Sequence, residues 1–327
     1  MPPTRTVVIV AFDGVQALDV TGPHEVFAGA TELLKRRHRA GYIVNVAAFR
    51  QGHVRTESGL TLVAGALADV RGDVDTLVVP GGSGVHDAAA DPELIAAVRR
   101  LTAGARRVVG VCSGSFVLAA AGLLDGKRAT THWARGAQLA ELHPSVRVDT
   151  DPIWTRDGDV WTSAGVTAGI DLALALVEDD HGADVAGTVA RWLVMFLRRP
   201  GGQSQFAAPV WRTPAQAEPV RRAQELIDGD PAGDHRVGVL ASKVAMSERH
   251  FLRRFTGETG ITPARYVAAA RVDAARRELE QTGDTVAAIA ARVGFGTAES
   301  MRRTFVRHLG AAPDTYRHRF STRRTQT

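Results

Sequence analysis

Val108-Val-Gly-Val-Cys-Ser-Gly-Ser-Phe116 reads as a buried strand, a sharp turn and the start of a helix. Val108 to Val111 is continuously apolar, as suits a strand covered on both faces. Gly110 and Gly114 flank Cys112 and leave room where the chain reverses. This is the pattern of a nucleophile elbow with Cys in place of Ser. It predicts a sulfur beside a helix N-terminus, where the helix dipole stabilises a thiolate and lowers the thiol pKa. The competing reading is a small buried cysteine at a strand end.

Outward from the elbow, apolar runs at Val7–Phe12, Tyr42–Phe49 and Thr76–Val79 predict three more strands. Helical patterns at Pro23–Leu34, Pro92–Ala103 and Ser115–Leu124 fall between or behind them. Alternating strands and helices predict an α/β domain with a parallel sheet. Two helical stretches follow, Gly169–His181 and Ala183–Leu197. Arg199–Pro219 holds Pro200-Gly201-Gly202, Pro209, Pro214 and Pro219, and reads as a linker. Beyond it, helical periodicity runs from Val220 to about His318, broken by glycines. The expected organisation is residues 1–198, a linker 199–219, and an all-helical domain 220–322.

The bulk composition agrees with two domains in 327 residues, 45% apolar and 23% charged. One cysteine excludes an internal disulfide and a cysteine-based zinc cluster. No apolar run is long enough to span a bilayer, and Val7–Val10 is too short for a signal sequence. A cytoplasmic protein without a membrane partner is expected. No metal-ligand cluster, dinucleotide fingerprint or phosphate loop stands out, so no metal or cofactor is expected.

Charge is divided unevenly. Residues 1–205 carry 20 basic and 22 acidic side chains, and residues 206–327 carry 20 and 13. The basic excess suits an anionic partner for the C-terminal part, or simply a solvated basic face. Lys35, Lys127 and Lys243 are the only lysines, so the arginines also fit a bias in genome composition.

Two C-terminal segments share one design. Val237–Ala245 and Glu248–Thr256 predict a helix pair, with Met246-Ser247 as the turn and Ser247 as N-cap. Phe251, Leu252 and Phe255 are expected to face inward, and Arg249, His250, Arg253 and Arg254 outward. Val286–Val293 and Thr297–His308 predict a second pair around Gly294-Phe295-Gly296. Ala298, Met301 and Phe305 supply its buried stripe. Thr297, Ser300, Arg302, Arg303, Thr304 and Arg307 include the residues free to face out. A helix, a tight turn and a helix with an arginine-rich outer face is the helix-turn-helix plan. Pro263–Glu280 reads as a rigid spacer helix between the pairs.

Val293-Gly-Phe-Gly-Thr-Ala-Glu-Ser-Met-Arg-Arg-Thr-Phe305 and Leu309–Phe320 resemble the signature of AraC/XylS-type regulators. Ser247–Phe255 and Gly260–Tyr266 resemble its first half. The resemblance implies that Ser247–Arg254 and Thr297–Arg303 enter successive major grooves of double-stranded DNA. The implied contacts are Ser247, Arg249, His250, Arg253, Arg254, Thr297, Ser300, Arg302 and Arg303.

Phe12–Phe27, Val79–Gly82 and Gly110–Gly114 resemble the PfpI/ThiJ-like branch of the class I glutamine amidotransferase-like superfamily. That implies a flavodoxin-like three-layer sandwich, with Asp19 touching Cys112. A protonated Asp19 would donate to a thiolate, and an ionised one would raise the thiol pKa. The proteases and several hydrolases of that superfamily carry His directly after the cysteine, where this chain has Ser113. His132 is the replacement candidate, against the plainer reading of a packed structural residue; His24 and His86 have weaker claims. Backbone N–H groups of Gly82 and Ser113 are candidates to line an anion pocket.

The two domains together resemble the GlxA family of transcription regulators, and Arg198–Phe206 fits that pattern. The resemblance implies a homodimer whose front domain senses a small, nitrogen-containing metabolite, with Asp19, Gly82, Cys112, Ser113 and His132 as candidate ligand contacts. No catalytic residue is expected, although Cys112 with Asp19 is a candidate nucleophile. The alternatives are an isonitrile hydratase-like cysteine enzyme and a redox sensor acting through Cys112.

Overall fold

The computed structural model describes residues 4–70, 72–197, 202–203 and 215–320. The chain divides into two compact units, Met1–Gln203 and Ser204–Thr327.

In the first unit, in chain order, come β1 (Arg5–Ala11), α1 (Ala17–Arg36), β2 (Tyr42–Ala48), β3 (Gly52–Arg55), β4 (Thr61–Ala66) and β5 (Thr76–Val79). Then follow α2 (Val85–Ala90), α3 (Pro92–Thr102), β6 (Arg107–Val111), α4 (Ser115–Ala120), β7 (Arg128–Ala129) and α5 (Gly136–Leu142). The unit ends with β8 (Arg147–Val148), β9 (Trp154–Asp157), β10 (Val160–Ser163), α6 (Thr167–His181) and α7 (Ala183–Trp192). The main sheet has the order β3-β4-β2-β1-β5-β6-β10-β9. Its centre is parallel, and only its edge strands β3 and β9 run antiparallel. Val7 to Val10 of β1 are wholly buried, as helices on both faces require. Helices α1, α6 and α7 pack with one another, and α2 packs with both α3 and α4; the unit is the expected flavodoxin-like sandwich.

Several boundaries differ from the sequence reading. Helix α1 begins six residues before Pro23, with the Gln16 side chain accepting from the Leu18 N–H at 3.2 Å. A proline inside a helix forfeits a hydrogen bond. Burial of Val20, Val26, Phe27, Ala30 and Leu34 outweighs that loss. The shift places Asp19 in the first turn of a helix. Helix α4 ends at Ala120 rather than Leu124, because the chain turns at Gly122 with a left-handed φ of 76°. Helix α7 stops at Trp192 rather than Leu197, closed by left-handed Val194 and a Met195 N–H bond to the Ala190 carbonyl. The β3–β4 hairpin and the short strands β7 to β10 were not read from the sequence.

The second unit is helical throughout its described residues. Its elements are α8 (Glu218–Gly229), α9 (Val237–Lys243), α10 (Glu248–Thr259), α11 (Pro263–Gln281), α12 (Val286–Arg292), α13 (Ala298–Leu309) and α14 (Pro313–Phe320). Pro219 stands in the first turn of α8, where its missing N–H costs nothing. Most of the expected linker, residues 199–201 and 204–214, lies outside the described residues. There are two small cores. Val220, Ile227, Leu240, Phe251, Phe255 and Tyr266 centre one; Leu279, Ile289, Met301, Phe305 and Tyr316 centre the other. Helix α11 gives Tyr266, Val267 and Ala270 to the first and Val272, Ala275 and Leu279 to the second. It is thus a packed beam shared by both pairs. No helix among the described residues is long and apolar enough to cross a membrane.

Candidate functional site

Strand β6 delivers Cys112 at its end, and the residue takes a left-handed backbone with φ of 58°. A non-glycine residue there is uncommon and strained. A short 3-10 turn, Cys112–Gly114, then leads into α4. The turn before α6 closes over the elbow: a side chain at Gly165 would overlap the Cys112 β-carbon. The strand–elbow–helix geometry expected from the sequence is present.

Asp19 is completely buried and faces this thiol. Its carboxylate accepts from the Val166 N–H at 2.6 Å and the Gly81 N–H at 3.0 Å. Burial nevertheless pushes its pKa up to about 6, against the pull of those two N–H groups. For Cys112, burial and then the Asp19 charge push the pKa up to about 12; the Ser113 N–H and hydroxyl oppose this. Near neutral pH the pair is therefore an ionised carboxylate beside a protonated thiol. This reverses the expected lowering of the thiol pKa. α4 has only six residues, and its dipole does not offset desolvation of a partly buried thiol beside a carboxylate.

The other candidates are partly dispersed. The Gly82 N–H donates to Ser113 Oγ at 3.1 Å, so it is engaged within the elbow. The Ser113 N–H is directed at the Cys112 sulfur. His132 caps the turn Trp133–Arg135: its Nδ1 accepts from the Ala134 N–H at 3.2 Å, and its ring lies 5.1 Å from that of Trp133. Burial holds it below the ordinary histidine pKa. His86 packs edge-on against Phe116, and His24 lies 3.9 Å from Glu25. Among the described residues, no histidine hydrogen-bonds to Cys112.

The sequence reading missed Thr131, Gln16 and Glu57. Thr131 Oγ1 donates to the Cys112 carbonyl at 2.8 Å. Gln16 Nε2 donates to Glu57 Oε1 at 2.5 Å, and the Ser83 N–H donates to Glu57 Oε2 at 2.8 Å. The Glu57 charge acts on both Asp19 and Cys112. Glu57 lies in the β3–β4 turn, and no spacing in the sequence announces its approach to the elbow. A separate cavity of about 410 Å³ opens where β1 and β2 end, lined by Phe12, Asp13, Arg50, His53, Asp87 and Leu94 among others. It includes none of the five predicted ligand residues, and its size suits a small metabolite.

In the helical unit, α9–α10 and α12–α13 form the two expected helix–turn–helix pairs. Phe251 and Phe255 are buried, whereas Leu252 is 38% exposed rather than turned inward. Arg249, His250, Arg253 and Arg254 are exposed along α10. Arg254 pairs with Glu258 at 3.2 Å. Ser247 occupies the N-cap position without a side-chain bond to the helix. Thr297 does cap α13, accepting from the Ser300 N–H at 3.1 Å. Ala298 is half-buried, and the stripe beneath α13 is Met301, Phe305 and Leu309. Arg302 lies 3.6 Å from Glu299 and 3.7 Å from Asp314, and Arg303 lies 3.9 Å from Glu299. These are exposed pairs, each worth about 0–1 kcal/mol, and a phosphate could replace either acid.

Comparison with known proteins finds one match within each unit. Residues 5–179 match the DJ-1/PfpI family, and residues 240–319 match a helix-turn-helix domain. The chain is 40% identical over 264 residues to the HTH-type transcriptional regulator Rv1931c of Mycobacterium tuberculosis, covering 76% of this chain and 96% of that one. It is 29% identical over 301 residues to the HTH-type transcriptional regulator GlxA of Rhizobium meliloti, covering 90% and 91%. Over 178 residues it is 38% identical to the isonitrile hydratase of Pseudomonas putida, covering 54% of this chain and 73% of that enzyme. Among solved structures, a ThiJ/PfpI family protein from Pseudomonas syringae superposes with a TM-score of 0.54 at 29% identity, covering 69% of this chain and 87% of that one.

Proposed function

From the premise that this chain belongs to the DJ-1/PfpI family and carries an AraC-type helix-turn-helix domain behind it, we propose that it regulates transcription by binding specific duplex sites. The observation that carries this is the duplicated helix–turn–helix, with arginines on the outer face of both second helices. Arg249, Arg253, Arg302 and Arg303 are suited to guanine edges and phosphates; Ser247, His250, Arg254, Thr297 and Ser300 are suited to positioning contacts. The front unit, residues 1–198, serves as the sensor of a small, nitrogen-bearing metabolite and as the dimerisation surface. Asp19, Gly82, Cys112, Ser113 and His132 remain its proposed contacts, with Glu57 added.

The test is selection from random duplexes at about 150 mM salt by the whole chain and by a form lacking residues 206–327. An enriched motif that requires those residues is the expected result. Salt-sensitive binding with no motif, with or without metabolites, would refute sequence-specific reading.

A second reading has one observation in its favour. Asp19 faces Cys112 at an elbow that could present a cysteine nucleophile, and one relative is named as an isonitrile hydratase. Against it stand a protonated thiol and, among the described residues, no histidine bonded to it. The sign is testable. With the thiol raised from 9 to about 12 in the folded chain, the thiolate fraction at pH 8 falls by about a thousandfold. At pH 8 iodoacetamide should label Cys112 far more slowly in the folded chain than after unfolding, and the folded-state rate should rise steeply with pH. Rapid labelling at pH 8 would restore the enzyme and redox readings.

A further inference from the structure

Gln203 is the last residue of the first unit, and from it the chain runs on toward the helix-turn-helix domain. Only 2% of it is exposed. Its Nε2 faces three acceptors: Thr130 Oγ1 at 2.9 Å, the Thr131 carbonyl at 3.0 Å and the Pro152 carbonyl at 2.9 Å. Its backbone N–H donates to the Asp151 carbonyl at 2.7 Å. Gly202 lies so tightly on Asp151 that a side chain there would overlap the carboxylate. The chain therefore leaves the first unit from an anchored residue.

The segment that Gln203 grips is the one that braces the elbow. Thr131 Oγ1 donates to the Cys112 carbonyl at 2.8 Å, and Ser115 Oγ donates to the Thr130 carbonyl at 2.9 Å. The Thr130 N–H donates in turn to Thr162 Oγ1 at 2.8 Å, tying the segment to β10. Thr130, Thr131, Ser115 and Thr162 are all completely buried. Bonds thus run without a break from the strained elbow residue, through Thr131, to the residue where the unit ends.

Gln203 also has a choice of partners. An amide nitrogen carries two hydrogens, and three oxygens stand within reach, so at most two are served at once. Its other amide atom, Oε1, is buried with no partner among the described residues. Two hydrogens facing three acceptors leave more than one pairing open to the Gln203 amide, and the Thr131 carbonyl belongs to that set.

We propose that Gln203 is a positioning residue that couples the Cys112 elbow to the chain entering the DNA-binding domain. The proposal rests on the sensing reading above and supplies its missing step. A ligand alters DNA binding only through an element that has two states and that the ligand touches differently in each. Thr131 and Gln203 are that element: occupancy at the elbow moves the Cys112 carbonyl, Thr131 follows, and the hold on Gln203 changes.

The experiment needs neither the operator nor the metabolite, so its failure is separate from failure of the DNA-binding reading. The full chain is compared with Gln203→Ala, Gln203→Glu, Thr131→Val and the double variant Thr131→Val/Gln203→Ala. One readout is hydrogen exchange at residues 112–116; the other is the rate of trypsin cleavage after Arg212. Both Gln203 variants should raise exchange at the elbow about fivefold, the lower end of typical coupling. Thr131→Val, made at the elbow, should raise cleavage after Arg212 by a similar factor, and the double variant should cleave no faster than Gln203→Ala. Exchange in Val7–Val10 should stay at its original rate. If Thr131→Val leaves the cleavage rate unchanged, if the two effects multiply, or if exchange in Val7–Val10 rises equally, the coupling does not exist.

Discussion

The two helix–turn–helix pairs repeat one another inside and differ outside. Phe251, Phe255, Gly260, Pro263 and Tyr266 recur at equal spacing as Met301, Phe305, Gly310, Pro313 and Tyr316. Phe255 meets Tyr266 at 5.5 Å and 87°, and Phe305 meets Tyr316 at 5.4 Å and 79°. Both tyrosine hydroxyls donate to a carboxylate, Asp228 at 3.0 Å and Glu280 at 2.5 Å. Both second helices end in a left-handed glycine, with φ of 71° at Gly260 and 65° at Gly310. The outer faces do not repeat. Where α10 has Arg249, α13 has Glu299, which holds Arg302 and Arg303. Among the described residues, no ion pair engages Arg249 or Arg253. The fold dictates the buried half of each pair; the exposed half is free to specialise.

The largest effects should fall on the shared interior. Phe255→Ala and Phe305→Ala each remove a fully buried ring and should each cost about 3–5 kcal/mol. Because α11 contributes to both cores, each variant should raise hydrogen exchange in both pairs of the full chain. If Phe305→Ala loosened only α12–α14, the cores would be independent modules and the equivalence would break.

Next come the outer faces. Arg253→Ala should weaken binding to a selected duplex by about 1–3 kcal/mol, as for a base-reading arginine. Arg302→Ala should cost less, because Arg302 must first give up Glu299 and Asp314. By the same reasoning Glu299→Gln should tighten binding, by up to about 1 kcal/mol. Titrations at one salt concentration decide the order, and an Arg302 effect larger than that of Arg253 would invert the specialisation.

What the sequence made legible follows the same division. Buried periodic positions announced themselves: β1, β5, β6, the elbow and the stripes of α10 and α13 are all apolar runs or apolar spacings. The first misses were structures whose signal is not hydrophobic. The β3–β4 hairpin sits at the sheet edge, where polar and apolar residues mix, and with it went Glu57. Pro23 misled because a local rule against helix interiors yields to the packing of Val20, Val26 and Phe27. The Cys112 environment was misjudged for a third reason. Residue order places a thiol at a helix start, but its pKa depends on desolvation at the elbow and on Asp19, which only the folded chain brings there. Gln203 lay in the Arg198–Phe206 stretch that fits a family pattern, but neither its bonds nor those of Thr131 were legible, since a hydrogen bond between distant hydroxyls and amides has no periodicity.

The smallest expected difference separates the two caps, and it sharpens the comparison most. Thr297 bonds the Ser300 N–H, whereas Ser247 holds the same position without bonding its helix. Thr297→Ala should therefore cost about 1 kcal/mol of stability, and Ser247→Ala only a few tenths. Denaturant melts of the two variants measure this directly. The DNA titration should run the other way. A hydroxyl not occupied by its own helix is available to a phosphate at the helix N-terminus, where the dipole already favours one. Ser247→Ala should thus lose affinity for the selected duplex at almost unchanged stability. Thr297→Ala should lose stability first, and affinity only as α13 frays. If both variants moved both quantities together, the caps would be equivalent after all, and the divergence between the pairs would rest on Glu299 alone.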